Sequence, residues 1–400
     1  MPSFPNRVTP PHIVTLTLSA SIGPLAMNMF LPSLPGMARY FAADYSVMQL
    51  TVTLYLFSQA FIQLFIGPAS DRFGRRPVML FSLITFVIGT IVALFAPTIE
   101  VLLFARVLQA FAAGGMVLAR AMVRDTVATN EAASKIAYIT MGMAFVPTIT
   151  PVIGGMLDVA YGWQASFITM LAFGILSIVL VWIDLGETNR VRSSSMAAQF
   201  RSYPELLTSR RFWGYSATAA FTTGTFFAFL GGGPFVATEI LGLGPAAYGF
   251  YFGIMSMGYI IGNFLSGRYT MRLGVDVMML SGNALALVAM IVSLILFFAG
   301  FDHPLSLFLP AGLVGVGNGL ALPSTNAGIV SVRPHLAGSA SGLGGALQIA
   351  GGAALSVMAG LLISRETGPY PLLWLMVISS FASVLTSLYV RSVSRRQEHG

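Results

Sequence analysis

Twelve stretches of mostly apolar residues alternate with short polar ones along the chain: 13–34, 47–69, 77–96, 99–121, 134–157, 163–184, 212–238, 245–268, 275–299, 305–330, 337–362 and 370–391. At about 1.5 Å of rise per residue, a run of about 20 residues spans a hydrocarbon core of roughly 30 Å as helix. The pattern predicts an all-α membrane protein with twelve transmembrane helices. The longest polar segment, 185–211, is rich in Arg and Ser and separates six helices from six. We therefore divide the chain into an N-terminal half, 1–184, a linker, 185–211, and a C-terminal half, 212–400. The first apolar run continues to Leu34, longer than the core of a secretory signal, which predicts a retained first helix.

Composition agrees with this reading. The chain is 56% hydrophobic and 9% charged, and its mean hydropathy is +0.81. It has no cysteine, so disulfides, thiolate metal sites and cysteine nucleophiles are excluded. The net charge of +7 would raise nucleic acid as a partner in a soluble chain. Its placement gives another reason. With a cytoplasmic N-terminus, 18 of the 21 Lys and Arg fall in inside segments, Arg39 and Arg365 fall outside, and Arg106 lies within a helix. That asymmetry predicts both termini in the cytoplasm. The partners expected are the lipid bilayer and small molecules, with no nucleic acid.

Between the second and third runs lies GPASDRFGRRP, residues 67–77, with four charges in six residues. It reads as a tight loop at the cytoplasmic face: Gly67 and Gly74 permit close approach or positive φ, and Pro77 suits the first turn of the next helix. Its pattern G-x-x-x-D-R-x-G-R-R resembles the loop between the second and third helices of major facilitator superfamily transporters. The resemblance implies two related six-helix halves that rock about a central site. It also implies that Asp71 and Arg72, supported by Arg75 and Arg76, act as a gate joining the halves. A shift of 200 residues lays Gly67, Arg72 and Gly74 on Gly267, Arg272 and Gly274, with Met271 opposite Asp71.

Ionisable side chains are costly in hydrocarbon, about 2.5–3.5 kcal/mol at mid-helix, so those that persist are functional candidates. Arg106, seven residues into the fourth run, is the one deep charge, and Asn28 and Tyr55 fall at a similar depth on the first two helices. Tyr55, Gln59 and Gln63 recur every four residues as a polar stripe expected to line water. Gln63, near the helix end, reads rather as interhelical glue. We take Asn28, Tyr55, Gln59, Arg106 and Gln109 as the candidate substrate and coupling cavity.

The run RVLQAFAAGG from Arg106 resembles the fourth-helix motif of the superfamily's drug transporters, with Ala110 where a glycine is usual. VPTITPVIGG at 146–155 is similar to the antiporter motif of drug exporters, in which Pro147 and Pro151 bend the helix and Gly154 and Gly155 allow tight packing. NMFLPSLP at 28–35, GPFVA at 233–237 and YGFYF at 248–252 look like the Bcr/CflA group of bacterial multidrug exporters. That resemblance implies proton-coupled export across the inner membrane, driven by the proton gradient without a cofactor. The group often has aspartate where this chain has Asn28.

All 14 acidic residues fall in loops or at helix ends. Arginine does not deprotonate and asparagine does not titrate, so Asn28 and Arg106 cannot exchange a proton between them. A rim acid, Glu100, Asp158 or Glu239, or the substrate's own proton, would then couple transport. The four histidines lie at helix ends or in loops, and no metal-ligand cluster or nucleophile with a base is visible, which argues against an enzyme. Phe221, Phe226, Phe227, Phe229, Tyr251 and Tyr259 make the seventh and eighth helices aromatic, read mainly as packing. The expectation is export of lipophilic or amphipathic compounds by a functional monomer. The alternatives are a facilitator or exporter of a single metabolite such as a sugar or amino acid, and a membrane receptor or scaffold.

Overall fold

Apolar runs of this length satisfy their backbone groups internally only as helices, and the computed structural model is built that way. It describes residues 11–126, 129–189, 203–333 and 336–398. The elements of the first half are α1 (Ile13–Asn28, prolonged by the turn Leu31–Ser33 and by Leu34–Tyr40), α2 (Tyr45–Phe73), α3 (Arg75–Leu94) and α4 (Ile99–Gln109, continued by Ala110–Ala112 and Ala113–Thr126). They are followed by α5 (Thr129–Tyr161) and α6 (Gln164–Asp184). A short helix, Tyr203–Leu207, precedes the second half: α7 (Arg210–Phe235, with Val236–Ile240), α8 (Pro245–Leu273), α9 (Val275–Phe298), α10 (Pro304–Ser331), α11 (Ala337–Leu362) and α12 (Tyr370–Glu398). The ends that carry Gly74 and Gly274 form what we call the basic face; the other ends form the opposite face.

Among the described residues, ten of these helices are long and apolar enough to cross a membrane. The other two, α5 and α8, are as long and meet across the halves. Their contact is built from small and polar residues. A Cβ on Gly155 would overlap the Pro245 carbonyl, a Cβ on Gly249 would overlap that of Pro151, and Ser256 Oγ donates to the Pro147 carbonyl at 3.0 Å. The second junction pairs α2 with α11.

One expected loop is mostly helix. α2 runs on through the charged segment to Phe73, and the break is confined to Gly74, whose φ of +104° L side chains rarely adopt. Charges at a membrane-facing helix end look like loop in a hydropathy reading, but the i,i+4 spacing of Asp71 and Arg75 bridges the break with an ion pair of 2.6 Å. Gly67 neither takes positive φ nor faces a close neighbour. Pro77 does sit in the first turn of α3.

Candidate functional site

The Arg106 guanidinium is fully buried inside the first half. Its Nε donates to the Thr51 carbonyl of α2 at 2.9 Å, and Nη1 donates to the Ala26 carbonyl of α1 at 3.1 Å and to Gln109 Oε1 at 2.6 Å. Gln109 Nε2 donates in turn to Thr90 Oγ1 of α3 at 2.9 Å. The guanidinium also lies over the rings of Phe30 and Tyr55, each centroid 4.4 Å from Cζ. The Tyr55 hydroxyl is anchored by donation to the Gly23 carbonyl at 3.0 Å.

None of the hydrogen-bond partners is an acid. The charge is held by carbonyl dipoles, an amide and two ring faces, contacts that become stronger when desolvated. Nη2 has no hydrogen-bond partner in the protein. Arginine is suited to this cage because its flat fork can stack and donate at once, which an ammonium cannot do.

The structure thus brings Arg106, Gln109 and Tyr55 together. Asn28 lies on the same helix as the Ala26 acceptor, but its Nδ2 folds back to the Pro24 carbonyl at 2.8 Å. Its Oδ1 is buried without a donor. The polar stripe of α2 does not line water in this conformation: Tyr55 is fully buried and Gln59 nearly so. Gln59 packs near Gly23, while Gln63 faces α11, where a Cβ on Gly345 would lie 3.3 Å from its Nε2.

At the basic face, Arg75 is the hub. Its Nε meets Asp125 Oδ2 of α4 at 2.8 Å, and Nη1 meets both Asp71 Oδ1 and Ser70 Oγ. The backbone N–H groups of Arg75 and Arg76, which open α3, donate to the two oxygens of Glu187 at 2.9 and 3.3 Å. A carboxylate there satisfies orphan donors and faces the positive end of the helix dipole. Asn189 Nδ2 donates to the Asp71 carbonyl at 2.9 Å, and Arg76 stacks on Trp182 at 5.0 Å. Arg72 lies over Phe73 at 5.5 Å. Every one of these partners belongs to the first half or the start of the linker. Among the described residues, the partners of the segment expected to act as a gate form a clamp within one half.

In the proline–glycine motif of α5, Gly154 sits against the Met29 carbonyl of α1, whereas Gly155 and both proline carbonyls face α8. Of the three rim acids, Glu100 is exposed in the first turn of α4, Asp158 is half-buried near the end of α5, and Glu239 is paired with Arg39 and Arg365.

Sequence reasoning passed over Glu187, Asp125, Asn189 and Asp184. Asp184, 1% exposed, accepts from the His12 backbone N–H at 2.9 Å and from Thr15 Oγ1 at 2.7 Å, tying the end of α6 to the start of α1. Acids at helix ends look like solvated rims in a sequence, and nothing local marks Glu187, just past the end of α6, as the cap of α3.

A polytopic bundle of two six-helix halves, jointed through glycine-rich contacts and, among the described residues, holding one fully buried arginine in its interior, defines a membrane carrier. Comparison with known proteins gives the family: the model described as Major Facilitator Superfamily matches residues 16–355, and the chain belongs to it. It is a transporter and a multi-pass membrane protein, not an enzyme. The uncharacterized MFS-type transporter YdgK of Bacillus subtilis (strain 168) is 31% identical over 373 residues, 91% of each chain. Multidrug resistance protein D of Escherichia coli (strain K12) is 28% identical, covering 93% of this chain and 94% of that one. The bicyclomycin resistance protein homolog of Haemophilus influenzae is 27% identical, covering 95% and 96%. These relatives place the chain with the Bcr/CflA-like group. Among solved structures, the D-xylose–proton symporter shares the fold with a TM-score of 0.75 at 13% identity, over 94% of this chain and 96% of that one.

Proposed function

We propose that this protein exports small lipophilic or amphipathic compounds across the bacterial inner membrane by alternating access, as a monomer with both termini in the cytoplasm. The observation that carries the reading is the end-to-end similarity to relatives whose names denote drug resistance, 27–28% identity over more than nine-tenths of both chains. Geometry supports a rocking motion: α5 meets α8 and α2 meets α11 through glycines, whose missing side chains leave flat backbone surfaces able to slide.

The energy source we infer is the proton gradient, with no cofactor. Arg106 cannot carry the proton, and its charge serves instead to set the potential of the interior. Two of the rim acids fit a carrier poorly: Glu100 lies in solvent and Glu239 is held between two guanidiniums. Asp158, half-buried and within electrostatic reach of Arg39, is the acid best placed to exchange a proton as the halves move.

Purified protein in liposomes tests the reading, with lipophilic cations, neutral antibiotics and small metabolites offered with and without an imposed pH gradient. Concentrative, gradient-dependent movement of several unrelated compounds is expected, with Asp158→Asn losing the dependence on the gradient. Equilibration of one metabolite, indifferent to pH, would make the protein a facilitator and overturn the proposal.

A further inference from the structure

At the opposite face one carboxylate is set between two cations. Glu239 stands in the π-helical turn Val236–Ile240 that ends α7, after Pro234 has removed a backbone donor from that helix. Wide turns of this kind re-aim a side chain and recur at functional sites. Here the turn directs Glu239 inward, so that its side chain is 15% exposed, while the arginines that meet it are 71% and 76% exposed. Oε1 receives Arg39 Nη1 at 3.0 Å, and Oε2 receives Arg365 Nη2. Arg39 ends α1 in the first half; Arg365 lies between α11 and α12 in the second.

Beneath this triad lies a layer of neutral contacts across the same junction. Tyr45 Oη donates to the Gly231 carbonyl at 3.3 Å, and its ring sits 4.8 Å from that of Phe235. Gln49 Nε2 donates to Ser356 Oγ at 3.2 Å. A Cβ on Gly231 or Gly360 would overlap Gln49. Tyr45, Gln49 and Arg39 all belong to the first half; Gly231, Phe235, Glu239, Ser356 and Gly360 all belong to the second. Opening this face must break the Arg39–Glu239 pair, whereas the Arg365–Glu239 pair, internal to one half, survives it.

We propose that Glu239 is the latch of the opposite face: its bond to Arg39 joins the halves, and Arg365 holds it in position to make that bond. This rests on the alternating-access reading and on no assignment of substrate. Arg39 and Arg365 are the two Lys or Arg side chains that the charge pattern places outside the basic face. Their retention there, against the prevailing asymmetry, is explained by a common acid between them. Tyr40 and Glu366 adjoin the two arginines in the chain, Tyr45 lies within electrostatic reach of Glu239, and Asp158 lies within reach of Arg39.

The chain has no cysteine, so spin labels can be placed without prior substitution. Phe95, past the end of α3, and Phe301, past the end of α9, are 76% and 61% exposed at the opposite face of the two halves. Their labelled variants, F95C with F301C, report the separation of the halves there by pulsed electron resonance, with no dependence on transport. E239Q is expected to raise the long-distance population by up to about fivefold, the effect of losing an exposed ion pair. R39Q should match it, the R39Q/E239Q double variant should go no further, and R365Q should shift it less. Raising salt from about 0.1 M to about 1 M, which shortens screening from about 10 Å to about 3 Å, should open the wild type and leave E239Q unmoved. A distance distribution unchanged by E239Q, or an additive double variant, overturns the latch. Failure of drug export in liposomes leaves this readout intact, so the two proposals fall separately.

Discussion

The two halves share a frame and differ in chemistry. α2 and α8 occupy Tyr45–Phe73 and Pro245–Leu273, 200 residues apart, and each ends at a glycine of nearly the same conformation: Gly74 at φ +104°, ψ 152° and Gly274 at φ +85°, ψ 158°. Inside that frame the first half encloses the Arg106 cation. The second half, among its described residues, uses neutral groups instead. Asn283 of α9 accepts from Thr222 Oγ1 of α7 at 2.8 Å and donates to Ser387 Oγ of α12 at 2.9 Å. Thr218 donates to Thr386 at 3.0 Å on the same seam, and Phe229, Tyr248, Phe252 and Phe308 pack as an aromatic core nearby.

The difference separates two kinds of polar residue in a membrane. Neutral hydrogen bonds between helices contribute little each, about 0.6 kcal/mol, and hold a scaffold together. A buried charge without a counter-ion destabilises the half that contains it, and its retention points to function. The same contrast appears at the basic face. Gly74 is overlaid by Glu187, so that a Cβ there would overlap the carboxylate, whereas a Cβ on Gly274 would meet nothing within 4 Å. One turn is clamped by an acid network, and among the described residues nothing overlies the other.

Alanine at the two glycines sharpens this comparison most. Both substitutions place a Cβ on a positive φ with extended ψ, a region adopted essentially by glycine alone, at about 1–3 kcal/mol. Only Gly74→Ala also displaces Glu187, so it should be the more destabilised of the pair in thermal unfolding of the purified protein. Equal losses would show that the Glu187 clamp adds nothing to the turn. A smaller effect is expected at the neutral seam: Asn283→Ala should lower stability by about 1 kcal/mol and leave liposome flux within twofold of wild type. A collapse of flux in that variant would break the division between a working half and a scaffold half.

Hydropathy was sufficient to read the twelve helices, because lipid demands long apolar runs and leaves loops short; the repeat was read from Gly67, Arg72 and Gly74 recurring at Gly267, Arg272 and Gly274. It misjudged α2, whose last two turns are polar because they leave the hydrocarbon while remaining helical. The Arg106–Gln109–Tyr55 grouping was legible from cost and spacing: a deep arginine is expensive, and Gln109 follows it at i+3. Its aromatic lid was not, since nothing local marks Phe30 as a partner for Arg106. Nor were Glu187 and Asp184, whose partners lie 111–112 and 169–172 residues away. Asn28 was drawn toward Arg106 by depth alone, but its side chain turns back to its own helix, where the Pro24 carbonyl accepts it.

The measurement that bears most directly on the account is liposome flux and thermal unfolding of Arg106→Met beside wild type. Methionine keeps the length and removes the charge, relieving an uncompensated ion of its burial cost. If the cation is retained for transport, flux falls by roughly 100-fold, about 2.7 kcal/mol in the barrier, while the unfolding temperature stays level or rises. Wild-type flux with a lowered unfolding temperature would contradict this, making Arg106 a structural pin and leaving the first half without the charge on which its function is argued.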